Sequence, residues 1–445
     1  MKLLQHLAVV LAAVVTALGA DPPLPGWAFT NTMNGLSLKQ PSKLSEASTM
    51  DSPTPRFSRL KHIKGPVNPA SGLSLATRQV RAATEDTHPQ NITAVGGFST
   101  QYAIECTWDG LPVSLLFDTG SSDTWAITED FECVGSLGNV VDQADCKFGS
   151  QFVNDFAHGE IEGTHFSLQY GSGEEVWGPM GYSDLSCGGL SVSKQQVGLA
   201  NHTYWRGGNK VTVGILGMAY PSITSAFYGD LGDEASWNSK TYSPFLTTAI
   251  GQGTMEPLFS VAIMKNSSDG ILAWGGLPPI PYNRCKNASA DLLIANLIGE
   301  DDTASRSSFY TIVPDGMRWG STTDEAKYPY IVDTGTTMMH LPPPLTEAIV
   351  RAFDPPATYM YQYGLYFVDC KSIPPLLAVI IAGVEFYIDS GDLVYHDIVD
   401  PMTGYCAVGF TNGGAGPYIL GDVFLQNVVA VFDVGGAEMR FYERK

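Results

Sequence analysis

From about residue 95 onward, the apolar residues of this chain occur in short runs separated by Gly, Pro, Asn and Asp. Short apolar or alternating runs that end at turn-forming residues are typical of β-strands. One short helix is predicted over residues 345–353, directly after three prolines. The pattern therefore predicts a mainly β protein with few helices. The clearest predicted strands cover residues 113–117, 166–170, 211–216, 258–264 and 428–432.

The first 20 residues have the pattern of a signal peptide. Lys2 gives a positive start, residues 7–18 form an apolar stretch, and residues 17–20 are the small residues of a cleavage site. No segment reaches the roughly 20 apolar residues that span a bilayer, and the charged C-terminus leaves no tail for a lipid anchor. We expect a secreted, extracellular protein, with a vacuole or another acidic compartment as the alternative. Four glycosylation sequons fit this route, at Asn91, Asn201, Asn266 and Asn287.

Charge divides the chain into two parts. The whole sequence carries 25 basic and 45 acidic residues, a net charge of −20, whereas residues 21–85 contain eight Lys or Arg residues. A basic leader before a strongly acidic body suggests a propeptide that is held partly by charge and inhibits its own chain. The alternative is a disordered linker. Because the body is acidic, neither nucleic acid nor an anionic membrane is an expected partner.

An internal repeat is the strongest signal in the body. The segment FDTGSS at residues 117–122 recurs as VDTGTT at residues 332–337. Each copy has its own downstream apolar-Gly element, ILG at 215–217 and ILG at 419–421. Two copies indicate two lobes related by an approximate two-fold axis, with a cleft between them. The predicted lobes are residues 86–280 and residues 281–445.

The repeated acids are candidates for acid–base chemistry. Asp118 and Asp333 each follow an apolar strand and precede Thr-Gly, which places the carboxylate on a tight loop. Two such loops that meet across a two-fold axis bring the carboxylates together. Two carboxylates at such a short distance cannot both ionise, so they share one proton. One carboxylate can then activate water while the other protonates a peptide carbonyl, without a metal or a cofactor. The alternative is two ordinary loop aspartates.

Over residues 95–445 these features resemble the pepsin family of aspartic proteases. The resemblance matches Asp118 and Asp333 to the family's catalytic pair, and Ser121 and Thr336 to the hydroxyls that hydrogen-bond to them. Gly120 and Gly335 complete the two loops. The resemblance implies the bilobal pepsin-like acid protease fold. It also implies an aspartic endopeptidase that acts at acid pH and is made as a zymogen.

A second part of the resemblance concerns the hairpin that closes over substrate, the flap. Residues 170–173 follow an apolar strand and are similar to the flap tip. Trp125 matches the tryptophan whose ring nitrogen supports the flap tyrosine. The implied substrate is an extended peptide that adds as a strand, with large apolar side chains beside the cut. The predicted flap and substrate-binding residues are Tyr170, Gly171, Ser172, Trp125 and Thr337.

Seven cysteines in an exported chain suggest disulfides with one thiol left over, although spacing alone leaves the connectivity open. The pairs Cys133–Cys146 and Cys370–Cys406 are preferred because each closes a short loop, and the resemblance also implies the pair Cys370–Cys406. A third pair would leave Cys285 unpaired. No C-x-x-C spacing of a zinc site occurs, so no metal is expected. The three pairs are Cys133–Cys146, Cys370–Cys406 and Cys106–Cys187.

Two other classes of function stay open at this point. Some pepsin-like folds have lost catalysis and serve as binding or inhibitor proteins, but this chain keeps both acids and their hydroxyl partners. A serine or zinc hydrolase would need a G-x-S-x-G or H-E-x-x-H motif, and the sequence has neither. We expect a monomer that acts on proteins or peptides.

Overall fold

The computed structural model of the chain describes residues 36–39, 57–64, 100–170, 173–206, 208–263, 269–297, 309–414 and 416–444. The predicted signal peptide, residues 1–20, lies outside these ranges, as does most of the predicted leader. Within them the protein is mainly β, which confirms the predicted fold class. None of the helices in these ranges is long and apolar enough to cross a bilayer.

The strands and helices are short. Up to residue 274 the strands are β1 (Leu36–Lys39), β2 (Phe57–Lys64), β3 (Thr100–Trp108), β4 (Leu111–Asp118), β5 (Thr124–Val134), β6 (Val140–Val141), β7 (Glu160–Gln169), β8 (Glu175–Cys187), β9 (Leu190–Tyr204), β10 (Gly214–Gly217), β11 (Ala226–Tyr228), β12 (Leu258–Ile263) and β13 (Asp269–Trp274). The later strands are β14 (Tyr282–Asp291), β15 (Ile294–Leu297), β16 (Thr311–Ile312), β17 (Gly316–Trp319), β18 (Thr322–Asp324), β19 (Tyr330–Val332), β20 (Met339–Leu341), β21 (Thr358–Met360), β22 (Leu365–Val368), β23 (Leu377–Ile381), β24 (Val384–Ile388), β25 (Val394–Val399), β26 (Cys406–Val408), β27 (Phe410–Asn412), β28 (Tyr418–Leu420), β29 (Val428–Asp433) and β30 (Glu438–Arg444). The α-helices are α1 (Gln143–Cys146), α2 (Phe245–Gly251), α3 (Pro343–Arg351), α4 (Ser390–Leu393) and α5 (Asp422–Leu425), and 3₁₀ turns occur at Pro221–Ile223 and Ser236–Asn238.

Six strands of the first half close into a ring. Each pairs with the next in the order β3-β4-β10-β5-β9-β8, and β8 pairs back onto β3. A closed ring leaves no unpaired edge among these strands. The disulfide between Cys106 and Cys187 joins β3 and β8 at the closure, where the two residues face each other in register.

The same sheet continues past the ring into the second half. From β3 its order is β2-β13-β12-β29-β30-β14, so strands from both halves of the chain share one sheet. Strand β2 comes from the predicted leader and pairs antiparallel with both β3 and β13. Strand β1, also from the leader, pairs with β15. Backbone pairing therefore joins these two segments to the rest of the fold.

The rest of the second half forms three smaller sheets. Their orders are β16-β19-β28-β20-β27, β18-β17-β23-β24 and β21-β22-β26-β25. The first contains the parallel pair β19–β28, the counterpart of the parallel pair β4–β10 in the first half. The sequence repeat is thus also a repeat of strand pairing.

Aromatic rings pack beneath the point where the repeated loops meet. Phe259 on β12 stacks on Phe432 of β29 with ring centroids 4.5 Å apart, and Tyr310 meets Phe432 edge-on at 4.8 Å. Phe117, directly before Asp118, packs edge-on against Phe259. All four rings are buried, so apolar contacts from both halves support this region.

Two predicted elements differ from the observed ones. The helix predicted over 345–353 begins earlier, at Pro343, because proline is well suited to the first helical position, where no amide donor is needed. The strand predicted over 211–216 begins only at Gly214. The Asn209 side chain accepts hydrogen bonds from the amides of Val211 and Thr212, and this turn uses the backbone donors that a strand would need.

Candidate active site

The two Asp-Thr-Gly segments leave their sheets in the same way. Strand β4 ends at Asp118 and runs parallel to β10, with Asp118 opposite Gly217. Strand β19 ends directly before Asp333 and runs parallel to β28, with Val332 opposite Leu420. Each apolar-Gly element of the repeat therefore braces the loop of its own half.

Asp118 is fully buried and held by its own loop. Its Oδ1 accepts a 2.8 Å hydrogen bond from the Gly120 amide, and its Oδ2 accepts one from the Ser121 hydroxyl. These bonds fix the plane of the carboxylate, so the loop itself sets its orientation.

Asp333 repeats this arrangement in the second half. It is fully buried, its Oδ1 accepts from the Gly335 amide at 2.7 Å, and its Oδ2 accepts from the Thr336 hydroxyl at 2.5 Å. The structure therefore places Ser121 and Thr336 where the resemblance placed them, one on each carboxylate.

Two threonines cross between the loops. The hydroxyl of Thr334 accepts from the Thr119 amide at 3.1 Å, and the hydroxyl of Thr119 accepts from the Thr334 amide at 2.9 Å. Each hydroxyl also donates to a carbonyl of the other half, Thr119 to Val332 and Thr334 to Phe117. This reciprocal set joins the two halves directly beneath the carboxylates.

The two loop glycines lie against the opposite carboxylate. A Cβ atom at Gly120 would collide with the side chain of Asp333, and one at Gly335 would collide with that of Asp118. A side chain at either position would separate the loops. Glycine is therefore required here for close approach, which is what brings the two acids together.

The shared environment raises the pKa of the Asp118 carboxyl well above its usual range. Burial is the main cause, and the neighbouring charge of Asp333 adds to it. The hydrogen bonds from Ser121 and Gly120 act in the opposite direction, because they stabilise the charged form. The two carboxyls therefore interact, and a negative charge on Asp333 disfavours the ionisation of Asp118.

The predicted flap is the hairpin of β7 and β8. Tyr170 is fully buried, and its hydroxyl accepts a 2.7 Å hydrogen bond from the ring nitrogen of Trp125, the contact that the resemblance implied. The turn is closed by bonds from the Tyr170 amide to the Glu174 carbonyl and from the Gly173 amide to the Tyr170 carbonyl. Gly171 and Ser172, predicted at its tip, lie outside the described residues.

Sequence reasoning missed a third aromatic residue at the flap. Trp205 packs edge-on against Tyr170 at 5.5 Å and against Trp125 at 5.4 Å, and it stacks on Phe148. It is buried, at 8% exposure. Trp205 lies in the irregular segment after β9, so no local pattern relates it to Tyr170. Tyr170 therefore contacts two tryptophans, Trp125 and Trp205.

Thr337, predicted among the substrate-binding residues, is 5% exposed. Its carbonyl accepts from the amide of Val423, so its backbone joins the second Asp-Thr-Gly loop to helix α5. This contact shows a role in loop support.

Two further buried acids lie near the pair and were not predicted. Asp123 accepts hydrogen bonds from the Tyr242 hydroxyl and the Ser225 amide. Asp422 follows the second ILG element and is fully buried. An Asp after a turn is too common in sequences to reveal either one.

The structure contains the three disulfides that were predicted, Cys106–Cys187, Cys133–Cys146 and Cys370–Cys406. Cys285 is exposed and unpaired. Cys370, His396 and Cys406 lie close enough together to suggest a metal site, but the disulfide between the two cysteines removes their thiolates as ligands.

Two of the predicted glycosylation residues can be placed. Asn201 on β9 and Asn287 on β14 are both exposed, as a glycan requires. Asn91 and Asn266 lie outside the described ranges.

Known proteins resemble this chain over most of its length. Residues 109–443 match the family model described as eukaryotic aspartyl protease. A probable aspartic-type endopeptidase from Aspergillus fumigatus is 32% identical over 420 residues, covering 91% of each chain. Human gastricsin is 30% identical over 348 residues, covering 74% of this chain and 76% of gastricsin.

The fold is similar to the crystal structure of an aspartic proteinase from Irpex lacteus. The TM-score is 0.56 at 18% sequence identity, covering 78% of this chain and 94% of the other. At this identity the likeness concerns the fold alone.

Proposed function

Because the chain belongs to the eukaryotic aspartyl protease family and is an aspartic endopeptidase, we propose that Asp118 and Asp333 form its catalytic dyad. One observation supports this most strongly. The two acids are buried side by side, each held by its own hydroxyl and loop amide, and Asp333 raises the pKa of Asp118. Two ordinary loop aspartates would face solvent and would not share a proton.

The pair performs acid–base catalysis on a peptide bond. With one proton and one negative charge, the ionised carboxylate removes a proton from a bound water as the water oxygen attacks the peptide carbonyl carbon. The protonated carboxyl donates its proton to the carbonyl oxygen. The carboxyl that took the proton from water then passes it to the leaving nitrogen, while the other carboxylate takes a proton from a hydroxyl of the gem-diol intermediate. The C–N bond breaks, and the pair again holds one proton. Activity requires one shared proton, so it is expected at acid pH.

The substrate lies as an extended strand beneath the β7–β8 hairpin. Backbone hydrogen bonds to the flap give affinity, and pockets on either side of the cut select large apolar side chains. The hydrogen bond from the Trp125 ring nitrogen to the Tyr170 hydroxyl anchors the end of this hairpin. Protein and peptide substrates fit the family to which the chain belongs.

The leader acts as a propeptide in this proposal, and the protein is a zymogen. Strand β2 pairs with both β3 and β13 within the sheet that the two halves share, so the leader is part of the folded precursor. Removal of the leader then accompanies activation in acid. A full-length Asp118→Asn protein that still matured normally in pure acid solution would contradict self-activation.

Secretion through a glycosylating pathway as a monomer completes the proposal. It rests on the N-terminal signal pattern, the three disulfides and the exposed sequons at Asn201 and Asn287. An acidic organelle is the alternative destination.

The decisive experiment is cleavage of a denatured protein by the acid-treated chain between about pH 3 and pH 7. Asp118→Asn and Asp333→Asn should each abolish cleavage, and a statine-type transition-state mimic should block the unsubstituted enzyme. If either variant remains folded and active, the proposed dyad is wrong. If the folded, leader-free protein cleaves nothing but binds the mimic, the same cleft serves binding alone.

A further inference from the structure

Residues 225–242 form a bridging segment between the first Asp-Thr-Gly loop and the flap. The Ser225 amide donates to both carboxylate oxygens of Asp123, and the Tyr242 hydroxyl donates to the same carboxylate from the other end of the segment. The Ser225 carbonyl accepts a 3.1 Å hydrogen bond from the amide of Ser167 on β7, the first strand of the flap hairpin. The bridging segment therefore connects the loop after the first catalytic acid to the flap.

The bridging segment also adds a third strand to the flap. Strand β11 lies at the edge of the sheet and pairs antiparallel with β7, with Phe227 opposite His165. After β11 the chain turns back, and the Asn238 side chain closes this loop by donating to the carbonyls of Tyr228 and Asp233. A loop closed in this way is a compact unit, so a contact between it and β7 holds the whole loop against the flap.

His165 makes this contact with both of its ring nitrogens. Its Nδ1 lies 3.0 Å from the Gly229 carbonyl oxygen, and its Nε2 lies 3.0 Å from Oε1 of Glu234. The imidazole also stacks on the Phe227 ring, with centroids 6.0 Å apart, and the residue is only 8% exposed. Both polar partners belong to the loop after β11, so His165 joins this loop to the flap strand.

The two partners of His165 fit a protonated imidazole. A carbonyl oxygen and an ionised carboxylate can only accept hydrogen bonds, whereas a neutral imidazole has only one N–H to donate. Burial favours the neutral form of Glu234, but the Gly232 amide and His165 donate to its carboxylate and lower its pKa below the ordinary value. Only an imidazolium donates at both nitrogens, so the observed geometry is that of a charged pair.

Glu234 is the acid that contacts His165 among the described residues. From β8 the residue opposite His165 is Pro179, which carries no charge. The Lys240 ammonium lies over the Tyr228 ring, 5.1 Å from its centroid. The remaining acids of β7 and of the loop are exposed to solvent, and they are Glu160, Glu162, Asp230 and Asp233. The pair of His165 and Glu234 is therefore the part of this contact whose charge changes with pH.

We propose, on the basis of the function proposed above, that His165 is a positioning residue whose imidazolium holds the loop after β11 against the flap strand and so keeps the flap over the substrate. The contact is complete at acid pH, where His165 is charged and Glu234 is ionised. A histidine loses its charge between about pH 5 and pH 8, and the neutral ring leaves one of its two acceptors without a donor. The third strand of the flap then loses this anchor, and the flap binds substrate less tightly.

The first test compares KM and kcat of the acid-treated enzyme and its variants at about pH 4. His165→Phe keeps an aromatic ring against Phe227 but has no donor, and Glu234→Gln keeps the shape of the acceptor but has no charge. Each should raise KM by about threefold to tenfold and leave kcat nearly unchanged, because the flap contacts the substrate and not the dyad. The double variant should raise KM no further than His165→Phe alone, since either substitution already breaks the pair.

The matched control is His158→Phe. His158 also pairs with a carboxylate, that of Asp184 at 2.7 Å, but 38% of its side chain is exposed and it precedes β7. This substitution removes a histidine–carboxylate pair outside the contact between β7 and β11, so KM should not change.

The second test measures hydrogen exchange of the β11 amides, which does not depend on catalysis. In the unsubstituted enzyme, their protection factors should fall by about tenfold more than those of β29 between about pH 4 and pH 7. The comparison with β29 corrects for any change in the stability of the whole fold. In His165→Phe the β11 amides should already be weakly protected at about pH 4. Because the first of these readings uses the unsubstituted protein, it decides the question even if a variant does not fold.

Three results would overturn the inference. They are a fall in β11 protection no greater than that of β29, an unchanged KM in folded His165→Phe, and an equal rise of KM in His158→Phe. The exchange test also separates this inference from the dyad. Loss of β11 protection with rising pH supports the role of His165 even if Asp118→Asn cleaves substrate, whereas β11 protection that follows β29 refutes it even if Asp118→Asn is inactive.

Discussion

The hydroxyl of Tyr242 donates a 2.7 Å hydrogen bond to the carboxylate of Asp123, and both residues are buried. The Ser225 amide donates to both oxygens of the same carboxylate. Burial outweighs these three bonds and raises the pKa of Asp123 from 3.8 to about 6. A satisfied acid of this kind still favours its protonated form, so it links the stability of the fold to pH.

Asp123 should make the protein less stable as the pH rises. Its pKa is higher in the folded state, so its stabilising effect is complete below about pH 3.8 and is lost as the pH passes about 6. The loss amounts to about 3 kcal/mol at 1.36 kcal/mol per pKa unit. Asp123→Asn should remove this dependence, since its amide oxygen can still accept from Tyr242. Denaturant unfolding between about pH 3 and pH 7 measures it.

The matched variant for this prediction is Tyr242→Phe. It removes a donor that stabilises the charged form of Asp123, so the free energy of unfolding should fall more steeply with pH. If the free energy of unfolding changes equally with pH in Asp123→Asn and in the unsubstituted protein, Asp123 does not titrate in this range.

His340 should have the opposite effect on stability. It is buried on β20, its Nε2 has no partner, and burial lowers its pKa from 6.5 to about 4. Its contribution is complete above about pH 6.5 and is lost as the pH falls through about 4, again by about 3 kcal/mol. His340→Leu should therefore raise the free energy of unfolding near pH 4 relative to pH 7. An equal change at both pH values would contradict the prediction.

Trp205 should affect catalysis through the flap tyrosine. Trp205→Ala removes the ring that packs against Tyr170 and Trp125, so the flap loses its fixed position and kcat/KM should fall by about tenfold. Trp205→Phe should keep most of the activity because it preserves an aromatic contact. The control is Trp237→Ala, since Trp237 is 79% exposed. Similar kcat/KM values for Trp205→Ala and the unsubstituted enzyme would rule out this role.

The crossed threonines should behave as one unit. Thr119→Val leaves the Thr334 amide without its acceptor, and Thr334→Val does the same to the Thr119 amide. Each should lower the free energy of unfolding by about 1–3 kcal/mol. The double variant should lose less than the sum, because either substitution already disrupts the shared set. Thr128→Val, which removes only a long 3.5 Å bond, serves as the control. Strictly additive losses would show that the two bonds are independent.

Much of the site was predictable because its signals are local or repeated. Asp118 and Asp333 lie within two copies of one short pattern, and their partners Ser121 and Thr336 lie three positions beyond each acid. A loop that small determines its own hydrogen bonds, so the pattern carries the geometry with it. Strand type also followed from local alternation, and the existence of helix α3, though not its first residue, followed from the prolines before it.

The remaining features depend on which segments meet in the folded chain. Tyr242 reaches Asp123 across 119 positions, and Trp205 reaches Tyr170 from an irregular segment. The pairing of β2 with β3 and β13 was not visible either, because a strand pattern does not name its neighbours.

The sequence by itself determined the fold class, the two halves and the pair of acids, because periodicity, turn residues and a repeat are properties of neighbouring positions. Only the tertiary structure decided which acids are buried and which of them have donors. Asp422 shows the difference most clearly. Its position after the second ILG element can be read from the sequence. Its lack of hydrogen-bond partners and its interaction with the charges of Asp118 and Asp333 arise only when both halves close around it. Desolvation and long-range electrostatics depend on the whole surroundings of a group, which no local pattern contains.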